Sequence, residues 1–153
     1  MELGLAYALK GQPEQGLVEG ERAIALDPNC ADCHIALAEV LFLAGRPEEA
    51  LGLVEKAMRL DPESAAYYSF DLGWAYRLLG RYEEAIAAQK RALARNPEFP
   101  PAHFELARLY NELGREEEAR AEEAIVRRLS PIGILIDLWI IIARRRHRAR
   151  WMT

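Results

Sequence analysis

DPESAAYYSFDLGWAYRLLGRYEEAIAAQKRALARNP, residues 61–97, contains two runs of apolar residues at helical spacing, one on each side of Leu79-Gly80-Arg81. Residues three and four apart share one face of a helix, and a glycine between two such runs ends the first and lets the chain turn back. The stretch therefore encodes a hairpin of two helices. Its marks are Leu72-Gly73, Tyr76, Gly80, Ala85, Ala92 and Pro97. They return upstream as Leu37-Ala38, Leu41, Gly45, Ala50, Ala57 and Pro62, and downstream as Leu106-Ala107, Tyr110, Gly114, Ala119, Val126 and Pro131. Pro28 to Pro62 and Pro97 to Pro131 each span 34 positions. A period of this length built from paired helices is the signature of an α-solenoid, in which each hairpin covers the apolar face of its neighbour.

The pattern resembles the tetratricopeptide repeat family, whose small, aromatic, Gly, Ala and Pro positions these residues match in order from residue 1 to about 131. The resemblance implies an all-α fold, a right-handed α-solenoid of antiparallel helix hairpins with a C-terminal capping or extension helix. Its units fall at about 1–30, 31–64, 65–99 and 100–131, and residues 132–153 follow as an apolar helix with a basic tail. Helices are predicted near 32–44 and 48–60 in the second unit and near 101–113 and 117–129 in the fourth.

Three departures from regularity carry expectations of their own. The first unit keeps the register at Leu3-Gly4, Tyr7, Gly11, Ala23 and Pro28 but lacks the four residues that would open its first helix. That points to a short first helix, to an internal start or a fragment of a longer polypeptide, and to an exposed apolar edge near Met1, Leu5 and Leu9. Pro62 to Pro97 spans 35 positions, so one extra residue lies in 64–69 and predicts a longer turn or a bulged first helical turn displacing Tyr67, Tyr68 and Phe70. Finally, a second-helix position that usually holds a large aromatic residue in the family holds Gly20, Val54, Gln89 and Glu123 here, which predicts thinner packing between hairpins.

With 51% apolar and 29% charged residues over 153 positions, the chain belongs among globular proteins of one domain rather than disordered ones. Charge is unevenly spread. Residues 132–153 hold five Arg against one Asp, leaving residues 1–131 with 15 basic against 23 acidic side chains. An acidic body argues against binding a phosphate backbone, which needs clustered Lys and Arg, so no nucleic-acid partner is expected. The N-terminus has no basic region before its apolar residues and no small-residue cleavage site, and two cysteines are too few for a disulfide framework. Those features predict a cytoplasmic protein with reduced thiols, and the resemblance to bacterial tetratricopeptide arrays implies a bacterial source.

Residues 30–34, Cys-Ala-Asp-Cys-His, match the attachment pattern for c-type haem. They straddle the join of two units, however, and His34 takes the register position of His103, which has no cysteines beside it. A zinc site would need a second ligand pair that is absent. The plainer reading is two small residues at an inter-helix turn, with no cofactor and no metal. The acidic runs Glu48-Glu49, Glu83-Glu84 and Glu116-Glu117-Glu118 always open a second helix, where carboxylates meet the positive end of the helix dipole. No nucleophile has a base and an orienting acid in matching places, and there is no Gly-rich phosphate loop, so no enzyme is expected.

In the family, the first helices of successive hairpins line a concave groove. Carrying those positions over gives Asp32, Ile35, Glu39 and Phe42 in the second unit, Tyr67, Phe70, Asp71, Trp74 and Arg77 in the third, and Phe104, Glu105, Arg108 and Asn111 in the fourth. Aromatic residues and arginines dominate binding hot spots, so this surface suits a peptide or helix of a partner protein, with a basic or apolar segment fitting its charge. Each aromatic also has a second reading, as ordinary packing between neighbouring hairpins.

The tail, Ile132–Ala143 followed by Arg144-Arg145-Arg146-His147-Arg148, is too short to span a membrane, since twelve residues as a helix cover about 18 Å of a core about 30 Å thick. It has three candidate roles: a closing helix, a homo-oligomer or partner contact, and attachment to an anionic membrane. The last two use Ile134, Leu138, Trp139, Ile142, Arg144 and Arg145. The leading function is therefore a protein-binding scaffold module. Its alternatives are a regulatory or sensory appendage of a larger bacterial signalling enzyme, such as a nucleotide cyclase, or of a transcription regulator, and a scaffold self-assembling through the tail.

Overall fold

A computed structural model of the chain describes residues 7–130. Among them lie seven complete helices and no strand: α1 (Pro13–Leu26), α2 (Ala31–Ala44), α3 (Pro47–Leu60), α4 (Ala65–Leu78), α5 (Tyr82–Arg95), α6 (Pro100–Glu112) and α7 (Glu116–Leu129), with residues 7–9 the end of a helix preceding α1. These are the antiparallel hairpins of an α-solenoid. The proposed C-terminal helix, with Ile134, Leu138, Trp139, Ile142, Arg144 and Arg145, and the opening of the first unit at Met1–Leu5 lie outside the described residues.

Each hairpin turn is written locally. Gly11, Gly45, Gly80 and Gly114 take positive φ between 72° and 82°, a conformation that a side chain disfavours. The next residue, Gln12, Arg46, Arg81 or Arg115, donates its backbone N–H to the carbonyl five positions back at 2.8–2.9 Å, satisfying a helix end that would otherwise lack a partner. Three of those residues then open the second helix with an ion pair. Arg46 forks onto Glu49 through two contacts of 2.6 Å, and Arg81 and Arg115 do the same with Glu84 and Glu118. The Arg81 and Arg115 guanidiniums also lie 4.4 and 4.7 Å from the ring centres of Tyr76 and Tyr110. The acidic helix starts thus have a structural role.

The chain divides into two compact units, Met1–Pro97 and Glu98–Thr153. In the first, each helix packs on the next from α1 to α5, and α2 also touches α4. Neighbours on several sides explain why α4 is buried without a break from Tyr68 to Ala75, whereas α3 buries only the stripe Ala50, Val54 and Ala57. Phe42, with no exposed surface, stabilises this core by about 1.5–3 kcal/mol relative to standing in water. In the second unit α6 packs on α7, with Leu106, Leu109 and Tyr110 buried on one and Ala119 and Val126 on the other.

The layer expected to be thin is filled in the first unit. A Cβ on Gly20 would stand 2.7 Å from Leu37 Cδ1, so Leu37 already occupies that space. Val54 and Gln89 are fully buried, and Gln89 donates from Nε2 to the Phe70 carbonyl at 3.1 Å. Gln89 presses so close to α4 that a Cβ on Gly73 would meet its Nε2 at 2.5 Å.

The extra residue of the third unit changes the helix start rather than the length of the connection: Ser64 has ψ 2° where Cys30 and Phe99 are extended at 99° and 96°, and Ala65 adds a bond to the Pro62 carbonyl at 3.3 Å. Connections 27–30, 61–64 and 96–99 each have four residues, and Ser64 accepts from Tyr67 and Tyr68 as Cys30 does from Cys33 and His34. Burial begins twelve residues before Gly45, Gly80 and Gly114 alike, at Cys33, Tyr68 and Ala102, so the addition lies in the first turn of α4, ahead of Tyr68. On the outer edge Leu9, Val18 and Leu26 are exposed.

Candidate partner-binding face

The first-helix residues expected to line one groove separate by burial. Phe42 and Trp74 face each other across α2 and α4 with ring centres 4.7 Å apart, and Phe70 lies 6.5 Å from Trp74. All three are buried, as is Ile35, so these side chains form the packing layer between the two helices rather than an open groove wall. The cause is the close approach of α2 and α4, which a ladder of aromatic contacts stabilises. Asp71 and Glu105 are buried too. Asp32 and Tyr67 are exposed, and Glu39 and Arg77 are partly covered.

On the α2–α4 face, a bridge joins the two helix starts. Tyr68 donates its hydroxyl to Asp32 Oδ1 at 2.9 Å, and Tyr67 meets the Tyr68 ring edge-on at 6.0 Å. Burial, then the bond to Asp32, pushes the Tyr68 phenol well above its ordinary range. Tyr67 is 63% exposed, and its phenol is raised by burial and then by the charges of Asp71, Glu39 and Asp32. Asp32 and Tyr67 are exposed, Glu39 is partly covered and Asp71 is buried.

Asp71 is the outlier. It is only 4% exposed, and its Oδ1 accepts no hydrogen bond among the described residues. Burial raises its carboxyl well above the usual carboxylate range, and the neighbouring Glu39 raises it further; burial alone lifts Glu39.

The second unit solves the same problem differently. Glu105, 1% exposed, sits beside the Arg108 guanidinium at 3.3 Å, and that guanidinium lies 5.8 Å from the Phe104 ring centre. Asn111 donates to Glu123 Oε1 at 3.3 Å, which turns it toward α7 of its own hairpin.

Cys30 and Cys33 are bonded to each other, contrary to the reduced thiols expected from composition. They occupy the N-cap and the third position of α2, one helical turn that brings their Cα atoms to 5.2 Å, inside the range a disulfide spans. The Cys30 sulfur also accepts the Cys33 backbone N–H at 3.1 Å. His34 donates from Nδ1 to the Cys30 carbonyl at 2.8 Å and is 1% exposed, so its ring is enclosed by protein and leaves no face for a haem. His103 is likewise buried, with Nδ1 on Glu122 Oε2 at 2.6 Å.

Among the described residues, no helix is long and apolar enough to cross a membrane.

Three models of the family described as Tetratricopeptide repeat match residues 1–65, 35–98 and 76–122. No curated protein matches the chain. Among solved structures, the chain is similar to TTC0263, a thermophilic TPR protein of Thermus thermophilus, at 27% identity and a TM-score of 0.79, over 93% of this chain and 77% of that one. It is similar to the D159K mutant of MamA at 30% identity and a TM-score of 0.62, over 83% of this chain and 73% of that one. MamA from residue 41 onward, of Desulfovibrio magneticus RS-1, shares the fold at 22% identity and a TM-score of 0.71, over 85% and 73%.

Proposed function

Because the chain belongs to the tetratricopeptide repeat family, we propose that it is a protein-interaction module whose α2–α4 face receives a peptide or helical segment of a partner protein. The observation that supports this reading is the lateral contact of α2 and α4, two helices separated in sequence by α3, on a surface where Asp32 and Tyr67 are exposed. The Phe42–Trp74 contact and the Tyr68–Asp32 bond hold that surface in place before any partner arrives. A preorganised receptor loses little conformational freedom on binding, so the ordering cost falls on the partner segment.

Selection of random linear peptides on the native chain, followed by binding measurements on Tyr67→Ala, tests the reading. Tyr67 is largely exposed, so its truncation leaves the core intact. Peptides that bind the native chain and lose most of their affinity for the variant support the α2–α4 face. Equal binding to both, with helical content unchanged, removes it.

A further inference from the structure

Counting back from the hairpin glycine, Asp71 and Glu105 hold the same register position, nine residues before Gly80 and Gly114. Six residues before the same glycines stand Trp74 and Arg108. In α6 the buried acid therefore has its cation one turn away on its own helix. In α4 the acid is retained, but an indole stands where the guanidinium would be, and α2 brings Glu39, a second carboxylate, rather than a base. Burying an acid without a cation or a full set of hydrogen bonds is destabilising. Among the described residues Asp71 Oδ1 is in that condition, one helical turn from the exposed Tyr67.

We infer that the α2–α4 face is an arginine-accepting site, in which a guanidinium presented by a partner protein enters beside Tyr67 and makes with Asp71 and Glu39 the ion pair that the α6 hairpin makes within itself. The inference rests on the proposed partner-binding face and specifies its chemistry. Arginine fits better than lysine because its planar fork matches carboxylates through parallel hydrogen bonds and stacks on aromatic rings such as Tyr67. Arg108 shows both habits in this chain, pairing with Glu105 and lying near the Phe104 ring. Charge complementarity points the same way, since residues 1–131 carry 15 basic against 23 acidic side chains.

The test is calorimetric titration of the full chain with a blocked Gly-Leu-Arg-Leu-Gly peptide and with its citrulline counterpart, which keeps the shape and removes the charge. The native chain should prefer the arginine peptide by about tenfold or more, the range of a close charge pair at an interface. Asp71→Asn and, at the less buried position, Glu39→Gln should each abolish the preference while retaining helical content and citrulline-level affinity. Equal affinity of the native chain for the two peptides, with both weakened by Tyr67→Ala, ends the arginine site and leaves the binding face standing. Failure of both peptides on every form of the chain ends both. A preference that emerges only in Arg144→Gln/Arg145→Gln/Arg146→Gln assigns the site to the chain's own arginines and overturns a partner-borne guanidinium.

Discussion

The α4 and α6 hairpins share a turn, an Arg–Glu helix start and an acid buried at the same register position, yet only one neutralises that acid from within. Glu105 has Arg108 at 3.3 Å, whereas Asp71 has Trp74 in the corresponding place and Glu39 nearby. Their second helices differ in step. Nine residues after the hairpin glycine the α6 hairpin carries Glu123, partly exposed and bonded to Asn111, while the α4 hairpin carries a fully buried Gln89 against Gly73. The α6 hairpin is thus electrostatically closed. The α4 hairpin is more tightly packed but retains an open charge requirement, which is the property expected of a receptor rather than a spacer.

The largest effect should come from breaking the closed pair. Arg108→Ala removes the guanidinium beside buried Glu105, and urea denaturation should show a loss of about 3 kcal/mol, with Glu105→Gln in the same chain recovering part of it. Next is the packing difference. Gly73→Ala gives the α4 hairpin the residue found at Ala107, drives a Cβ into Gln89, and should cost about 2 kcal/mol, most of it recovered by Gln89→Ala.

Smaller, and opposite in sign, is removal of the open charge. An unfolded aspartate titrates near pH 3.9, whereas burial and Glu39 hold the folded Asp71 carboxyl well above that. Between those two values the folded chain binds more protons than the unfolded one, so the stability contribution of this group falls as pH rises and levels off once the folded carboxyl has ionised. Asp71→Asn should flatten that slope and gain on the order of 1 kcal/mol above it, read from urea midpoints across pH. Least of all, Arg81→Ala and Arg115→Ala should shift the midpoint slightly and equally, because both forks lie on exposed surface and are common to the two hairpins.

Much of this was legible in the residues. Gly45, Gly80 and Gly114, each between apolar runs of helical spacing, located the turns, and Pro28, Pro62 and Pro97 follow the C-caps of α1, α3 and α5 by one residue. Which side of a first helix faces outward was not legible, because a helix with neighbours on several sides is apolar nearly all round. Periodicity then cannot tell the packed Phe42 and Trp74 from the exposed Tyr67. The Cys30–Cys33 bond escaped a reading that weighed compartment above the one-turn spacing at a helix start. One signal did lie in plain view. Aligning Asp71 with Glu105 and Trp74 with Arg108 requires only counting back from the glycines.

The extra residue in α4 also changes how the array is phased. One residue turns a helix by about 100°, so the two ends of α4 follow different counts from the fixed points of their hairpin. Counted from the N-cap, Tyr68 is the counterpart of the buried His34 and His103; counted from the closing glycine, Tyr67 is the counterpart of the exposed Asp32. The two adjacent tyrosines are therefore assigned opposite fates, one locked to α2 and the other presented to solvent. A single added residue is enough to give one copy of a repeated unit a differently phased first helix, at the cost of an N-cap, Ser64, held at ψ 2° where Cys30 and Phe99 are extended.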